Sequence, residues 1–188
     1  FVLVFGGSPG ARRINLAVAC GVRDWVGEPV VVHHVIGRRD WPDAVADPVR
    51  PGRNVDYRAV EYEDDMPTML AAADLVVCRA GATTVAELCV IGLPAVLVPL
   101  PGAPRDHQTL NARRLADAGA AVLVADHELD GDRLREVVGG LLGDRASLGV
   151  MAAASLGIGR PDAADLVAEL LAGMMAGRAA PREGGDSG

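Results

Sequence analysis

Short apolar runs alternate with helical segments along the chain, and that rhythm restricts the fold more than any other feature. The runs are Phe1–Phe5, Val30–Ile36, Val55–Val60, Leu75–Cys78, Ala95–Leu100 and Ala121–Val124. Most are apolar on both faces, as parallel strands are when helices cover each side of the sheet. Helices are expected near Ala11–Trp25, Asp65–Ala73, Thr84–Ile91, Asp106–Ala118, Gly131–Leu142, Ala146–Leu156 and Asp162–Met175. Pro42 to Arg53, rich in Pro, Asp and Arg, reads as a surface loop. Strand then helix at this spacing specifies an α/β fold: a doubly wound, mostly parallel sheet of about six strands with helices on both faces. In such sheets ligands bind beyond the carboxyl ends of the strands.

A chain of 188 residues is one ordinary domain with room for a full core. Half of its residues are hydrophobic, but only two each are Trp, Tyr and Phe, so Val, Leu and Ala must fill the interior. The net charge of −7, with arginines scattered rather than striped, argues against a nucleic-acid partner. No apolar run reaches the length of a bilayer crossing, and none has the pattern of a signal peptide. Cys20, Cys78 and Cys89 are odd in number and lack metal-ligand spacing. Reduced thiols are expected, with no structural metal and no disulfide framework. The chain opens directly in an apolar strand without a methionine, so a fragment or excised domain is expected. Residues 1–176 are expected to form the domain and 177–188, rich in Gly, Ala, Pro and charge, a disordered tail.

The loop after the fourth run carries the most chemistry. In Cys78-Arg79-Ala80-Gly81-Ala82-Thr83-Thr84-Val85-Ala86-Glu87, a strand passes through a Gly-Ala-Thr-Thr turn into a helix. That geometry aims several backbone N–H groups at one point beside the positive end of the helix, where anions bind. The carboxylate of Glu87 is placed to accept hydrogen bonds from a sugar diol. A diphosphate beside a ribose describes a nucleotide-sugar. Thr84-x-x-Glu87 equally fits a capping box, in which the two side chains satisfy the helix's own amides.

Other loops share the same edge. Gly6-Gly7-Ser8-Pro9-Gly10-Ala11 follows the first run, and its glycines permit a tight turn and close backbone approach to a phosphate. It departs from G-x-G-x-x-G because Ser8 occupies the second glycine's place, which disfavours a dinucleotide. Arg38 and Arg39 after the second run leave an NADP reading open. Tyr62-Glu63-Asp64-Asp65-Met66 follows the third run, with Asp64 or Asp65 suited to cap a helix. Pro99 to Gln108 is a rigid loop with three prolines, ending in Asp106-His107-Gln108 with Asn111 beyond. Its bunched polar side chains suit a sugar's hydroxyls, while His107 alone fits a surface or capping role.

Together these blocks resemble the carboxy-terminal half of the MurG-type glycosyltransferases. The resemblance runs from Phe1 to about Leu171. Its most specific parts are Gly-Gly-Ser-x-Gly-Ala at 6–11, Asp-Asp-Met at 64–66, Cys-Arg-x-Gly-Ala-x-Thr at 78–84 with Glu87, Gly-Leu-Pro at 92–94 and His-Gln-x-x-Asn-Ala at 107–112. The resemblance implies the donor-binding half of an inverting two-domain (GT-B) transferase. Such an enzyme moves N-acetylglucosamine from UDP-GlcNAc to undecaprenyl-pyrophosphoryl-MurNAc-pentapeptide, a lipid-linked acceptor of peptidoglycan synthesis.

By the same resemblance Ser8, with Gly6, Gly7 and Gly10, lies near the donor phosphate or sugar. The backbone of Glu63 pairs with the edge of uracil, Ala82, Thr83 and Thr84 hold the diphosphate, and Glu87 holds the ribose. His107 and Gln108 face the N-acetylglucosamine, supported by Asn111. Neither a cofactor nor a metal is implied. The catalytic base and the acceptor site are expected on an amino-terminal domain absent from this chain, so no catalytic residue is expected in this half. The full-length enzyme is implied to be cytoplasmic and peripheral on the inner face of the bacterial plasma membrane.

Two departures stand out. Pro9 replaces a glutamine usual in the family, and Pro101-Gly102-Ala103-Pro104 differs from the family's loop. A sister glycosyltransferase with another lipid or natural-product acceptor, a separate donor-binding subunit and a UDP-GlcNAc 2-epimerase are the alternatives.

Overall fold

The computed structural model describes residues 1–7 and 10–178. Six strands form one sheet: β1 (Val2–Phe5), β2 (Val30–Val35), β3 (Val55–Val60), β4 (Leu75–Cys78), β5 (Ala95–Leu97) and β6 (Ala121–Leu123). Their order is β3-β2-β1-β4-β5-β6, and every pairing is parallel. The helices are α1 (Arg12–Arg23), α2 (Trp41–Ala46), α3 (Met66–Ala72), α4 (Ala82–Ile91), α5 (His107–Asp117), α6 (Gly131–Gly143), α7 (Arg145–Ile158) and α8 (Ala163–Arg178). All six expected strands form, and the sheet is doubly wound as expected.

Strand residues alternate between two apolar layers, as the period of a strand requires. Val2, Val4, Val32 and Val77 pack with Ile14, Ala17, Val18 and Val22 of α1 and with Leu134 and Val138 of α6. Those α1 positions repeat at helical spacing, so one stripe of the helix seals one face of the sheet. Leu3, Val35, Val76, Cys78 and Leu97 point the other way, toward Leu70 of α3, Leu88 of α4 and Leu115 of α5. Leu88, Leu97 and Leu115 are almost wholly buried. Each contributes about 2 kcal/mol of transfer free energy.

The order reverses between β1 and β4, which pair directly, with Phe5 opposite Cys78. Loops leaving those two strands depart in opposite directions and open a crevice between them.

Four features differ from the sequence reading. β5 stops at Leu97 because Pro99 and Pro101 have no N–H to continue a ladder, although Val98 N–H still reaches the Cys78 carbonyl at 2.9 Å. Within the expected loop 42–53, Trp41–Ala46 forms a short helix; Pro42 lies in its first turn, where a missing N–H costs nothing. α4 begins at Ala82, two residues before Thr84, with Gly81 at the N-cap. α8 runs through Arg178, into the segment expected as a tail; the rest of that expectation, from residue 179, falls outside the described residues. Leu166, Leu170 and Met174 of α8 are exposed at helical spacing. Among the described residues no single helix is long and apolar enough to cross a membrane.

Candidate functional site

The start of α4 is the centre of the site. With Gly81 as N-cap, no side chain caps the helix, so the capping box of Thr84 with Glu87 does not form. Ala82, Thr83 and Thr84 occupy the first three helical positions, whose amides have no partner within a helix. Gly81 makes this opening accessible, since a residue with no Cβ leaves the backbone uncovered. Ala82 and Thr83 are exposed and Thr84 is half-buried. Glu87 lies one turn further, roughly 5 Å along the axis. It is exposed, and its carboxylate has no hydrogen-bond partner among the described residues.

The glycine loop stands beside this helix, because Phe5 at its start is the register partner of Cys78. Gly6 and Gly7 lead out of β1, and Gly10, at φ +87°, leads into α1. A Cβ on Gly10 would approach the Ile36 carbonyl to 2.5 Å, so the turn admits only glycine. Ser8 and Pro9, the former a predicted donor contact, lie outside the described residues.

Beneath this loop α1 is tied to the end of β2 by a buried polar chain. His34, on the α1 face of the sheet, has Nδ1 at 2.9 Å from the Tyr57 hydroxyl and Nε2 at 3.0 Å from Asn15 Oδ1. The amide oxygen can only accept, so His34 donates from Nε2 and accepts the Tyr57 proton at Nδ1. Asn15 Nδ2 donates in turn to Asp40 Oδ2 at 2.8 Å and to the Ile36 carbonyl at 3.0 Å. Burial, helped by the neighbouring His33, pulls the His34 pKa from 6.5 down to about 3, so the ring is neutral. Burial also raises Tyr57, to about 12, so the tyrosine keeps its proton.

On the other side of β1 a cleft of about 170 Å³ opens, lined by Phe5, Gly7, Val35, Gly37, Glu61, Tyr62, Glu63 and Met66. An aromatic residue, a valine and a methionine between main-chain turns suit a flat ring. Asp65 caps α3, accepting the Thr68 amide at 3.3 Å, as the sequence reading allowed. Glu63, predicted to meet the base through its backbone, lies in this wall.

The Pro99–Gln108 loop closes the far side. Arg105 and Asp106 both adopt left-handed backbone angles, at φ 54° and 53°. Such strain in non-glycine residues persists only where surroundings hold it. Here Gln108 Oε1 accepts the Leu100 amide at 3.0 Å, and Asp106 Oδ1 accepts the Thr109 hydroxyl at 2.6 Å. His107, the first residue of α5, is exposed and donates from Nδ1 to the Pro104 carbonyl at 2.7 Å. In the neutral ring this leaves Nε2 as an acceptor. Asn111 Nδ2 donates to the Ala80 carbonyl at 3.0 Å, fixing α5 against the opening of α4.

One anchor was not legible in the sequence. Arg79 Nη1 donates to the carbonyls of Val98 and Pro99, each at 3.1 Å, and to Asp126 Oδ1 at 2.6 Å. It therefore stitches the loop after β4 to those after β5 and β6. Its Nε is buried without a partner, the one such side-chain atom among the described residues. The available signal was a charge at the carboxyl end of a buried strand, Cys78-Arg79. Met66, Phe5 and Gly37 also enter the cleft without having been singled out for it.

A glycine turn, an uncapped helix opening and a ring-sized cleft sit at the carboxyl edge of a sheet of the doubly wound class, the edge at which such folds bind ligands. The chain belongs to glycosyltransferase family 28, whose C-terminal domain matches residues 1–167. It is 45% identical over 168 residues to a UDP-N-acetylglucosamine–N-acetylmuramyl-(pentapeptide) pyrophosphoryl-undecaprenol N-acetylglucosamine transferase of Nitratidesulfovibrio vulgaris, covering 89% of this chain and 46% of that protein. The identically named protein of Mycolicibacterium smegmatis is 45% identical over 170 residues, covering 90% and 43%. The crystal structure of Acinetobacter baumannii MurG superposes with a TM-score of 0.84 at 32% identity, covering 92% of this chain and 49% of that one. The chain thus spans about half the length of the curated relatives it matches.

Proposed function

We propose that this chain is the donor-binding half of an inverting N-acetylglucosaminyltransferase, taking UDP-GlcNAc as donor and undecaprenyl-pyrophosphoryl-MurNAc-pentapeptide as acceptor. The observation that carries the reading is the opening of α4: three consecutive first-turn amides with no side-chain cap, one turn from an unengaged carboxylate. The diphosphate sits on the amides of Ala82, Thr83 and Thr84, with Ser8 and the glycine loop alongside. The ribose diol donates to Glu87. Uracil enters the cleft of Phe5, Val35 and Met66, its edge against the backbone of Glu63. N-acetylglucosamine faces His107 and Gln108, whose loop Asn111 steadies.

In the reaction the acceptor hydroxyl attacks the anomeric carbon as the bond to the diphosphate oxygen breaks. The hydroxyl proton passes to a base, the sugar carbon inverts, and UDP leaves carrying the electron pair. Negative charge growing on the diphosphate meets dipoles already aimed at it, so little reorganisation opposes departure. The base and the acceptor groups are assigned to the other half of the relatives' length. The same assignment places the complete enzyme on the cytoplasmic face of the plasma membrane, where a soluble donor meets a lipid acceptor.

Calorimetric titration of the chain with UDP, UDP-GlcNAc and ADP tests the reading. Saturable binding of both uridine ligands, with ADP much weaker, is expected. Equal or absent binding of the three would contradict it.

A further inference from the structure

Glu63 is unusual in the cleft wall because its carboxylate is already committed inside the protein. Its Oε2 accepts from His33 Nε2 at 2.9 Å, and its Oε1 accepts from the Asp65 amide at 3.0 Å. Both side chains are largely shielded, His33 at 13% exposure and Glu63 at 18%. His33 belongs to β2, on the same face as Val35, which itself lines the cleft. The Phe1 ring meets the His33 ring edge-on at 6.5 Å, limiting its rotation.

The rest of the loop is held from the same strand and its exit. Ile36 N–H donates to the Val60 carbonyl at 2.9 Å, and Gly37 N–H donates to the Glu61 carbonyl at 3.0 Å. The Arg38 guanidinium lies 5.6 Å from the centre of the Tyr62 ring. By contrast, neither the N–H nor the C=O of Glu63 has a main-chain partner among the described residues. One residue therefore offers a free donor and a free acceptor to the cleft, while its side chain fixes where they stand.

We propose that His33 and Glu63 form a positioning pair that sets nucleobase selectivity, the histidine holding the Glu63 carboxylate so that the Glu63 peptide groups match an imide edge. The inference rests on the donor-site reading above. An imide, as in uracil, presents an N–H flanked by carbonyls and so complements a C=O and an N–H. Cytosine presents an acceptor nitrogen and an amino group at the same edge, so its acceptor would face the protein's carbonyl. A buried mismatch of that kind leaves two groups unpaired, which is why main-chain position translates into selectivity. Releasing the carboxylate frees the loop to shift, and the distinction between the two edges fades.

The test is calorimetry on the whole chain and its His33→Leu, His33→Gln and Glu63→Ala variants with UDP, CDP and inorganic pyrophosphate, alongside thermal melts. The wild type is expected to bind UDP at least about tenfold more tightly than CDP, the scale of one well-made hydrogen bond. His33→Leu should weaken UDP by about tenfold and bring the UDP-to-CDP ratio toward one, with pyrophosphate unaffected. Glu63→Ala, in a loop whose backbone is tied elsewhere, should do the same if the leucine variant does not fold. His33→Gln, whose amide nitrogen can take the place of Nε2, should restore most of the ratio. A merely structural contact would lower all three ligands together, or the melting temperature alone, and leave the ratio intact. Folded variants that retain the wild-type ratio overturn the pair but spare the donor site. A wild type that binds no UDP overturns both.

Discussion

Asp126, after β6, holds Arg79, after β4, at 2.6 Å between two chains of loop that also receive the arginine's hydrogen bonds. The two side chains are 16% and 12% exposed. Such a shielded pair contributes through geometry more than net attraction, because desolvation offsets much of the Coulomb gain. Removing one partner is a different matter, since it strands a charge. Asp126→Ala is expected to destabilise the fold by about 3 kcal/mol and to weaken UDP binding, as read by urea unfolding and calorimetry. Arg13, half-exposed at 3.9 Å from the same carboxylate, serves as control: Arg13→Ala should change stability by less than about 1 kcal/mol.

Glu87 makes no contact that the fold depends on. Glu87→Ala should leave the melting temperature nearly unchanged and weaken UDP by about 1–3 kcal/mol, the scale for deleting a charged hydrogen-bond partner. Affinity for inorganic pyrophosphate should not move, because that ligand has no ribose. Unaltered UDP affinity in a folded variant would remove Glu87 from the site.

His34 makes stability depend on pH. Its folded pKa, about 3, lies below its ordinary 6.5, so between those values the unfolded chain binds a proton that the folded chain refuses. Stability therefore rises with pH through that window and levels off above it, with a limiting slope of about 1.4 kcal/mol per unit. Asp56, Asp74 and Asp144 are all held below their ordinary 3.8, so their contributions fade only under more acid conditions. Urea unfolding from pH 6.5 to 4.5 should show the slope, and His34→Gln should flatten it.

The cysteines differ in reactivity for reasons of burial. Cys20 is exposed, while Cys78 and Cys89 are buried and their thiols are pushed upward by desolvation. A thiolate-directed reagent at pH 8 should modify Cys20 quickly in the folded chain and reach the other two only in denaturant. Fast modification of Cys78 would contradict the packing of β4.

Much of the architecture was legible because most of the strands are short runs apolar on both faces, the pattern of a covered parallel sheet. The start of α4 was misread by two residues, since Gly81 and Ala82 carry no capping side chain and Thr84 does. The helix at Trp41–Ala46 was hidden by Pro42, read as a breaker although it lies in a first turn. Motif blocks named the candidate site residues, but not the contacts that hold them. Arg79 with Asp126 and His33 with Glu63 are joined only by strand order and register, information that no local window contains.

The most direct measurement is an amide-resolved NMR titration of the isotopically labelled chain with UDP, compared with uridine. The account predicts that the Ala82, Thr83 and Thr84 amides shift strongly with UDP and little with uridine. Amides of those residues that stay in place while UDP saturates the protein would contradict the account.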